Sequence, residues 1–518
     1  MTLSLLKGAK KKTEVDPIFA LRNAPFIDFL DPTLKVEQVV VDGILDDRYF
    51  QKVPKVDRCI TCHTFINQEG YEDQKNPYKT HPKLDLMVGK DSPHPMKQVG
   101  CTGCHGGEGH RVHDFTSIAH TPNDEEQKKE WKEKYGWHEP HKVPKPMLKR
   151  KYSEASCIKC HKGDHYIEGT TTLQEGFDNI KKFGCFGCHK LDDWDHMSNP
   201  GPSLQKVTAK IDKEFFKNWV WNPYQFNPHS RMPRFFEQDN NSKPEFVEKT
   251  VAEVNSMAEY IWENSEEYKP FAIFRGGDKE QGKKLIKEVG CMGCHGVEGY
   301  EKESKDVDNW AGPYLTGTGS KIKDPDWLVS WLIKPSHYQS DTIMPSLRLS
   351  DREANDIAAY LLSLKNESFE ELEFAPLDPA VRDEILVDYF AAFDTEKGAR
   401  NQLSAMSERE RTLELGHRSL GKYGCYSCHN IDGFKGRSGI GPELTEIGST
   451  PLTHFGFNLQ HDVEHSRDGW IKAHLLNPRR WDRGLDKSFG DLNRMPNFRM
   501  SEQEAESITT ALLGYVNE

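Results

Sequence analysis

Nowhere in the 518 residues is there a run of 18 or more apolar side chains, so no stretch is long enough to cross a bilayer as a helix. Membrane association is therefore expected only through a partner. There is no basic stripe either. Lys+Arg 69 against Asp+Glu 81 leaves a formal charge of -12, and without a positive face or a recognition helix no nucleic-acid partner is expected. Nor is any cysteine left over for a disulfide framework, because all 12 stand in pairs two residues apart. What is present is globular: 36% hydrophobic residues, with 26 Phe, 17 Tyr and 11 Trp, over a length that suits roughly three to four domains.

Each cysteine pair is followed at once by histidine. The six copies are Cys59-Ile60-Thr61-Cys62-His63, Cys101-Thr102-Gly103-Cys104-His105, Cys157-Ile158-Lys159-Cys160-His161, Cys185-Phe186-Gly187-Cys188-His189, Cys291-Met292-Gly293-Cys294-His295 and Cys425-Tyr426-Ser427-Cys428-His429. This is the c-type haem attachment signature. Two thiols three positions apart can form thioethers to the vinyl groups of one haem, leaving the adjacent imidazole to bind iron. Zinc ribbons need two CxxC pairs close together and leave the trailing histidine unexplained, while a thioredoxin-like CxxC occurs once beside a βαβ pattern. Six covalently attached haem c groups are expected.

From about residue 169 a module repeats three times. Each copy opens with a helical stretch ending in Gly-Cys: Leu173 to Gly184, Lys279 to Gly290, and Ser407 to Gly424. A Gly-Pro-x-Leu step follows at Gly201-Pro202-Ser203-Leu204, Gly312-Pro313-Tyr314-Leu315 and Gly441-Pro442-Glu443-Leu444. Next come a Trp-bearing helix running into proline (Trp219 to Pro223, Trp327 to Pro335, Trp470 to Pro478) and a Met-Pro pair at Met232-Pro233, Met344-Pro345 and Met495-Pro496. An amphipathic helix closes each copy, with Ala354, Ile357, Ala358 and Leu361 on one face in the second.

This order of motifs resembles the class I cytochrome c fold. The resemblance covers roughly residues 169–518 and implies three helical cytochrome c modules at 169–265, 266–366 and 367–518, the last with a linker; before them a loop-rich trihaem domain (59–168) and an N-terminal extension (1–58), a candidate for partner or membrane contact, are expected in a mainly α chain. It also implies, copy by copy, His189, His295 and His429 as proximal ligands, Met232, Met344 and Met495 as distal ligands, and Pro202, Pro313 and Pro442 as carbonyl acceptors for the proximal imidazoles. Met197, Met292 and Met500 do not recur in register and are expected to pack. The third copy carries an extra stretch from about Thr450 to Asp468 with His454, His461 and His465, which could cover the haem edge, form a docking loop or be a solvated insertion.

The first three motifs have no Met-Pro step, so His63, His105 and His161 are expected to share their irons with other histidines. The candidates are His81, His94, His110, His113, His120, His138, His141 and His165. The run from Val56-Asp57-Arg58-Cys59 through His81-Pro82 and His94-Pro95 to Ala119-His120 resembles the N-terminal part of multihaem cytochromes found with quinol-oxidising cytochrome b complexes. On that likeness His81, His94 and His120 are preferred, then His138 and His141, with the pairing to particular haems left open.

Met/His ligation raises haem potential, so electrons are expected to enter the N-terminal trio and leave through the C-terminal modules. If every iron carries two protein ligands no substrate position remains, and an electron carrier is expected rather than an enzyme. The rivals are a haem enzyme acting on peroxide, nitrite or hydroxylamine, and a subunit of a conductive cytochrome filament. The likeness implies a membrane partner of cytochrome b or Rieske type, a downstream acceptor, and a periplasmic or other extracytoplasmic location. Met1 to Val15 has a basic stretch without an apolar core, which is not a complete signal peptide. Export is expected to rely on an upstream signal or anchor, or a membrane partner to hold residues 1–58.

Overall fold

The computed structural model describes residues 36–48, 50–112, 116, 118–138, 146–197, 199–297 and 312–517; most of the N-terminal extension, His113 and His141 lie outside these. The fold is mainly α, and the chain divides into two compact units, one running up to Leu173 and including Thr510–Val516, the other Gln174–Thr509.

The first unit is loop-rich, as its Gly, Pro and His content implies, but it carries an unforeseen antiparallel hairpin of β1 (Val39–Arg48) and β2 (Gln51–Asp57). The hairpin ends beside the second CxxCH motif. There the Asp57 carboxylate, 1% exposed, accepts the N–H groups of Cys101 and Thr102 at 2.6 and 2.8 Å. A buried carboxylate on the free N–H groups of a helical turn satisfies both partners. Helix α1 (Glu125–Tyr135) is capped by Asp124 and supplies Trp131 to the histidine cluster described below.

In the second unit the helices longer than eight residues fall where the repeat places them, except two in the linker before Ser407. They are α2 (Thr172–Phe183), α3 (Lys213–Trp221), α4 (Pro244–Glu263), α5 (Lys279–Glu288), α6 (Pro325–Ile333), α7 (Asp351–Ser363), α8 (Pro379–Ala391), α9 (Glu396–Ser404), α10 (Glu408–Tyr423), α11 (Arg467–Leu476) and α12 (Glu502–Gly514). Capping boxes at Ser350/Glu353 and Ser407/Glu410 start α7 and α10. Gly184, Gly290 and Gly424 end the opening helices in the left-handed region (φ 66, 85 and 69°), a turn only glycine makes without strain.

The middle copy builds its own core. Leu285 and Ile286 of α5, Trp327, Leu328 and Leu332 of α6, and Ala354, Ile357, Ala358 and Leu361 of α7 form one cluster. The outer two copies do not. One core joins Phe216, Phe236, Val254, Met257 and Ile261 of the first copy to Leu420, Tyr423, Ile431 and Phe434 of the third. Here α4 lies along α10, and Glu253, fully buried, accepts hydrogen bonds from Lys422 Nζ at 2.8 Å and Tyr423 Oη at 2.7 Å. Reciprocally, α2 meets the start of α12, with Asn179 donating to Ser507, Lys182 to Glu504, and Phe183 edge-on to Phe498.

The first and third copies have thus exchanged their second halves. The contacts of residues 169–265 with residues 367–518 cross the expected module boundaries. The reason is physical: either second half presents the same apolar face and the same backbone partners, so exchange forms an equivalent set of contacts. The linker is itself structured. Helices α8 and α9 pack Ile385, Leu386, Phe390, Ala399 and Leu403 against Ala252 and Leu415, one residue from each side of the exchange.

Candidate haem-binding sites

All six CxxCH segments close the same turn, the histidine N–H donating to the first cysteine carbonyl at 2.9–3.0 Å. The turn brings two thiols and an imidazole together on consecutive positions, the presentation that double thioether attachment needs.

The first unit pairs its histidines crosswise. His63 of the first motif faces His120 with ring centroids 6.5 Å apart, His105 of the second faces His81 at 5.9 Å, and His161 of the third faces His94 at 6.1 Å. Two metal–imidazole bonds of about 2 Å each, plus the reach from each nitrogen to its ring centre, add to roughly 6 Å. The gaps therefore suit one metal between each pair, and they bring together the three histidines favoured from sequence. His138 is not brought into these pairs. Burial pushes His63 down to about 4, helped by the charges of His120 and His105, and burial likewise lowers His105 and His81. Metal binding needs the neutral ring, so the depression favours the ligating form. Trp137 Nε1 donates to the His120 carbonyl at 2.9 Å, and Trp131 meets the His120 ring edge-on.

In the second unit a carbonyl faces each motif imidazole. His295 Nδ1 lies 2.8 Å from the Pro313 carbonyl of its own copy, but His189 Nδ1 lies 2.8 Å from Pro442 and His429 Nδ1 2.7 Å from Pro202. A carbonyl can only accept, so Nδ1 carries the proton and Nε2 is left for a metal. The surrounding backbone repeats the exchange: Gly312 N–H donates to Cys294, whereas Gly201 donates to Cys428 and Gly441 to Cys188, all at 2.8–2.9 Å. A Cβ at any of these glycines would sit 2.4–2.5 Å from the imidazole, which explains the residue type. Burial lowers all three imidazoles in pKa, partly opposed by the proline carbonyls.

The methionines of the three Met-Pro steps share one setting. Met344 packs on the core that also holds Cys291, and Phe235 and Phe236, just after Met232, belong to the core that holds Cys425. Each methionine sits in the same small turn, its N–H donating to a side-chain oxygen two residues back: Ser230 at 3.2 Å, Thr342 at 3.2 Å and Asn493 at 3.1 Å. That polar residue was a readable signal before each Met-Pro step. Trp219 Nε1 lies 3.1 Å from Met232 Sδ. The two turns also meet, Arg234 pairing with Asn497 as an isolated antiparallel bridge.

Sequence reading missed His474. It occupies the position of Trp219 and Trp331, four residues before the proline that follows each helix, and stacks on Trp470 with ring centroids 4.6 Å apart. Its Nδ1 is buried without a partner, and burial together with nearby His189 pushes its pKa down to about 3. The insertion at 450–468 is packed rather than loose: Phe455 lies on Trp470, and Arg480 holds Asp462 at 2.6 Å.

Neighbouring motifs touch. The fourth and sixth motifs adjoin, a Cβ on Gly187 meeting the Ser427 carbonyl at 2.6 Å, and Ser156 Oγ donates to the Cys104 carbonyl. Residues 279–365 match the family model Cytochrome c. Comparisons with curated proteins and with solved structures found no match. The matched segment holds the Cys291–His295 motif, Pro313 and Met344, and the match supports a cytochrome c domain there, of the kind that binds haem covalently and transfers electrons.

Proposed function

We propose that the chain carries six haems and relays electrons from a membrane quinol-oxidising complex to a downstream acceptor on the extracytoplasmic side. The observation that carries this reading is the second ligand candidate facing each motif imidazole of the first unit, at 5.9–6.5 Å, together with a Met-Pro turn for each motif of the second. With every axial position taken by the chain, no iron is open to substrate. Haem supplies one-electron chemistry when bound; the protein's part is to hold the thiols in one turn, fix each imidazole tautomer and exclude water.

Histidine at both axial positions in the first unit and methionine opposite histidine in the second order the potentials from low to high along the chain. Among the described residues no helix is long and apolar enough to cross a membrane; the relay reading needs membrane contact through a partner or an anchor. The acidic surface suits docking to a basic patch, with association weakening as salt rises.

The test has two stages. The mass of the denatured protein gives the haem count, six being expected. The protein purified gently from native membranes is then mixed with quinol, with and without its co-purifying subunits, and reduction of its haems is followed optically. Reduction only with the subunits present supports the relay. High-spin haem with turnover of nitrite or peroxide would replace it with an enzyme.

A further inference from the structure

One buried guanidinium is shared between the two Met-Pro turns of the exchanged pair. Arg479 stands directly after the proline that follows α11, where the first and middle copies carry Tyr224 and Ser336. Its side chain is 2% exposed. Nε donates to the Met495 carbonyl at 2.8 Å. One terminal nitrogen donates to the Asn493 carbonyl and, at 3.1 Å, to the Asn240 amide oxygen. The other donates to the Arg494 carbonyl at 2.9 Å and the Phe235 carbonyl at 3.3 Å. Asn493, Arg494 and Met495 make up one Met-Pro turn, and Phe235 stands three residues after the methionine of the other.

Arginine carries five donors in a rigid planar fork, and here five acceptors meet them. Burying a guanidinium is costly unless its donors are answered, so a fork held by the backbone of both turns fixes those turns in return. Neighbouring ties run the same way. Asn240 Nδ2 donates to the Asn493 carbonyl at 3.0 Å and to Asp482 at 2.6 Å, and Asp482 also accepts the Asn493 N–H at 2.7 Å. Arg234 pairs with Asn497 as an isolated bridge, and the Arg499 guanidinium lies 3.8 Å from the Tyr224 ring centre. The middle copy is built otherwise: beside Met344, Ser346 Oγ donates to the Ile333 carbonyl of the same copy at 3.3 Å.

We propose that Arg479 is a positioning residue for two methionine ligands at once: it fixes the Met232 and Met495 turns to each other, so that both methionine–iron bonds hold or open together. The fork does this by its geometry, since five divergent donors reach both turns from one planar group, whereas a lysine in its place has three donors on a single nitrogen. Met344, in a turn outside this clasp, is independent of it. The inference rests on methionine ligation in the reading above but not on the identity of donor or acceptor.

The test titrates the holoprotein with free imidazole, which competes with methionine for iron, and follows both the near-infrared methionine–iron band and the upfield methionine methyl signals of the reduced protein. Partners behind a metal ligand are worth about 10–100-fold in metal affinity. In Arg479→Met, imidazole should therefore displace two methionines at roughly 10–100-fold lower concentration than in the wild type, with the Met344 signal unmoved. Arg479→Lys should behave like Arg479→Met. Arg382, equally buried but bonded to Asp383, Glu408 and Thr412, is the control, and Arg382→Met should lower the melting temperature without changing the imidazole response. Loosening of a single methionine would overturn the proposal, as would loosening of all three, an unchanged response, full restoration by lysine, or the same effect from Arg382→Met. If Arg479→Met does not accumulate, Asn240→Ala, which removes one acceptor of the fork, carries the same test with a smaller shift in the same direction. Fewer than three upfield methyl signals in the wild type would remove the methionine ligation itself and this inference with it, whereas failure in the variants alone leaves the relay standing.

Discussion

The middle copy and the outer pair use the same parts to opposite effect. His295 finds its carbonyl 18 residues away, whereas His189 and His429 reach across 253 and 227 residues for theirs. The local chemistry is unchanged: the same tautomer, the same glycine approach, the same Met turn. What differs is the connectivity, and with it the unit of folding. A self-contained copy can form from local contacts, while the exchanged pair must close a loop of more than two hundred residues before either core exists.

The largest consequence is all-or-none. Expressed with haem-attachment machinery, residues 266–370 should fold and retain one haem, whereas residues 169–265 should not, because Phe216, Val254 and Met257 would face water instead of Leu420 and Tyr423. Thermal melts and intact mass decide it. A cooperative melt from the 169–265 fragment would dissolve the distinction between the regions.

Next in size is the buried contact that locks the exchange. Glu253→Gln leaves Lys422 buried against a neutral amide at the meeting of α4 and α10. Loss of one partner of a buried pair costs about 3–5 kcal/mol, so the guanidinium midpoint of this region should fall sharply. The exposed Lys213–Glu259 pair is the control, since breaking it should cost only about 0–1 kcal/mol. Equal losses would mean that the Glu253 contact contributes no more than a surface bridge.

In the first unit, His120→Met should raise the potential of one haem, that of His63, by replacing imidazole with thioether. Redox titration with near-infrared detection of a new Met–iron band reads the change. A band that does not form would remove His120 from the pair.

Much of this was legible because the chemistry demands fixed residues at fixed spacing. The six CxxCH turns form at the six motifs, a Gly-Pro carbonyl faces each imidazole of the last three, and the Met-Pro turns share one hydrogen-bonded form. The apolar face of α7 was readable from its period, with Ala354, Ile357, Ala358 and Leu361 at most 3% exposed. The preference for His81, His94 and His120 came from resemblance, and their crosswise order was not legible, since any His can reach any of three nearby irons. The hairpin was missed because Asp57, which fixes its end to the second motif, looks in sequence like any loop carboxylate. The exchange was invisible for a deeper reason: three near-identical repeats present interchangeable faces, so no local pattern says which second half closes on which first. His474 hid in plain view, as a histidine where the other copies carry Trp219 and Trp331.

The finest test asks how far a change at one haem spreads. In the middle copy Met344 packs on a core built almost wholly from that copy, so Met344→His should lower the potential of that haem alone. In the exchanged pair the two Met turns touch through the Arg234–Asn497 bridge, and the motifs adjoin at Gly187 and Ser427. Met232→His should therefore lower the haem of His429 most and move the haem of His189 by a smaller amount, because any shift of the Met232 turn is passed to the Met495 turn. Nuclear magnetic resonance of the reduced protein separates the cases, since a methionine methyl bound to iron is carried far upfield by the ring current. Met232→His should abolish one such signal and displace a second, and Met344→His should abolish one and leave the others in place. A wild-type Met232 methyl showing contacts to the haem of His189 instead of His429 would restore the copy-by-copy arrangement and undo the exchange.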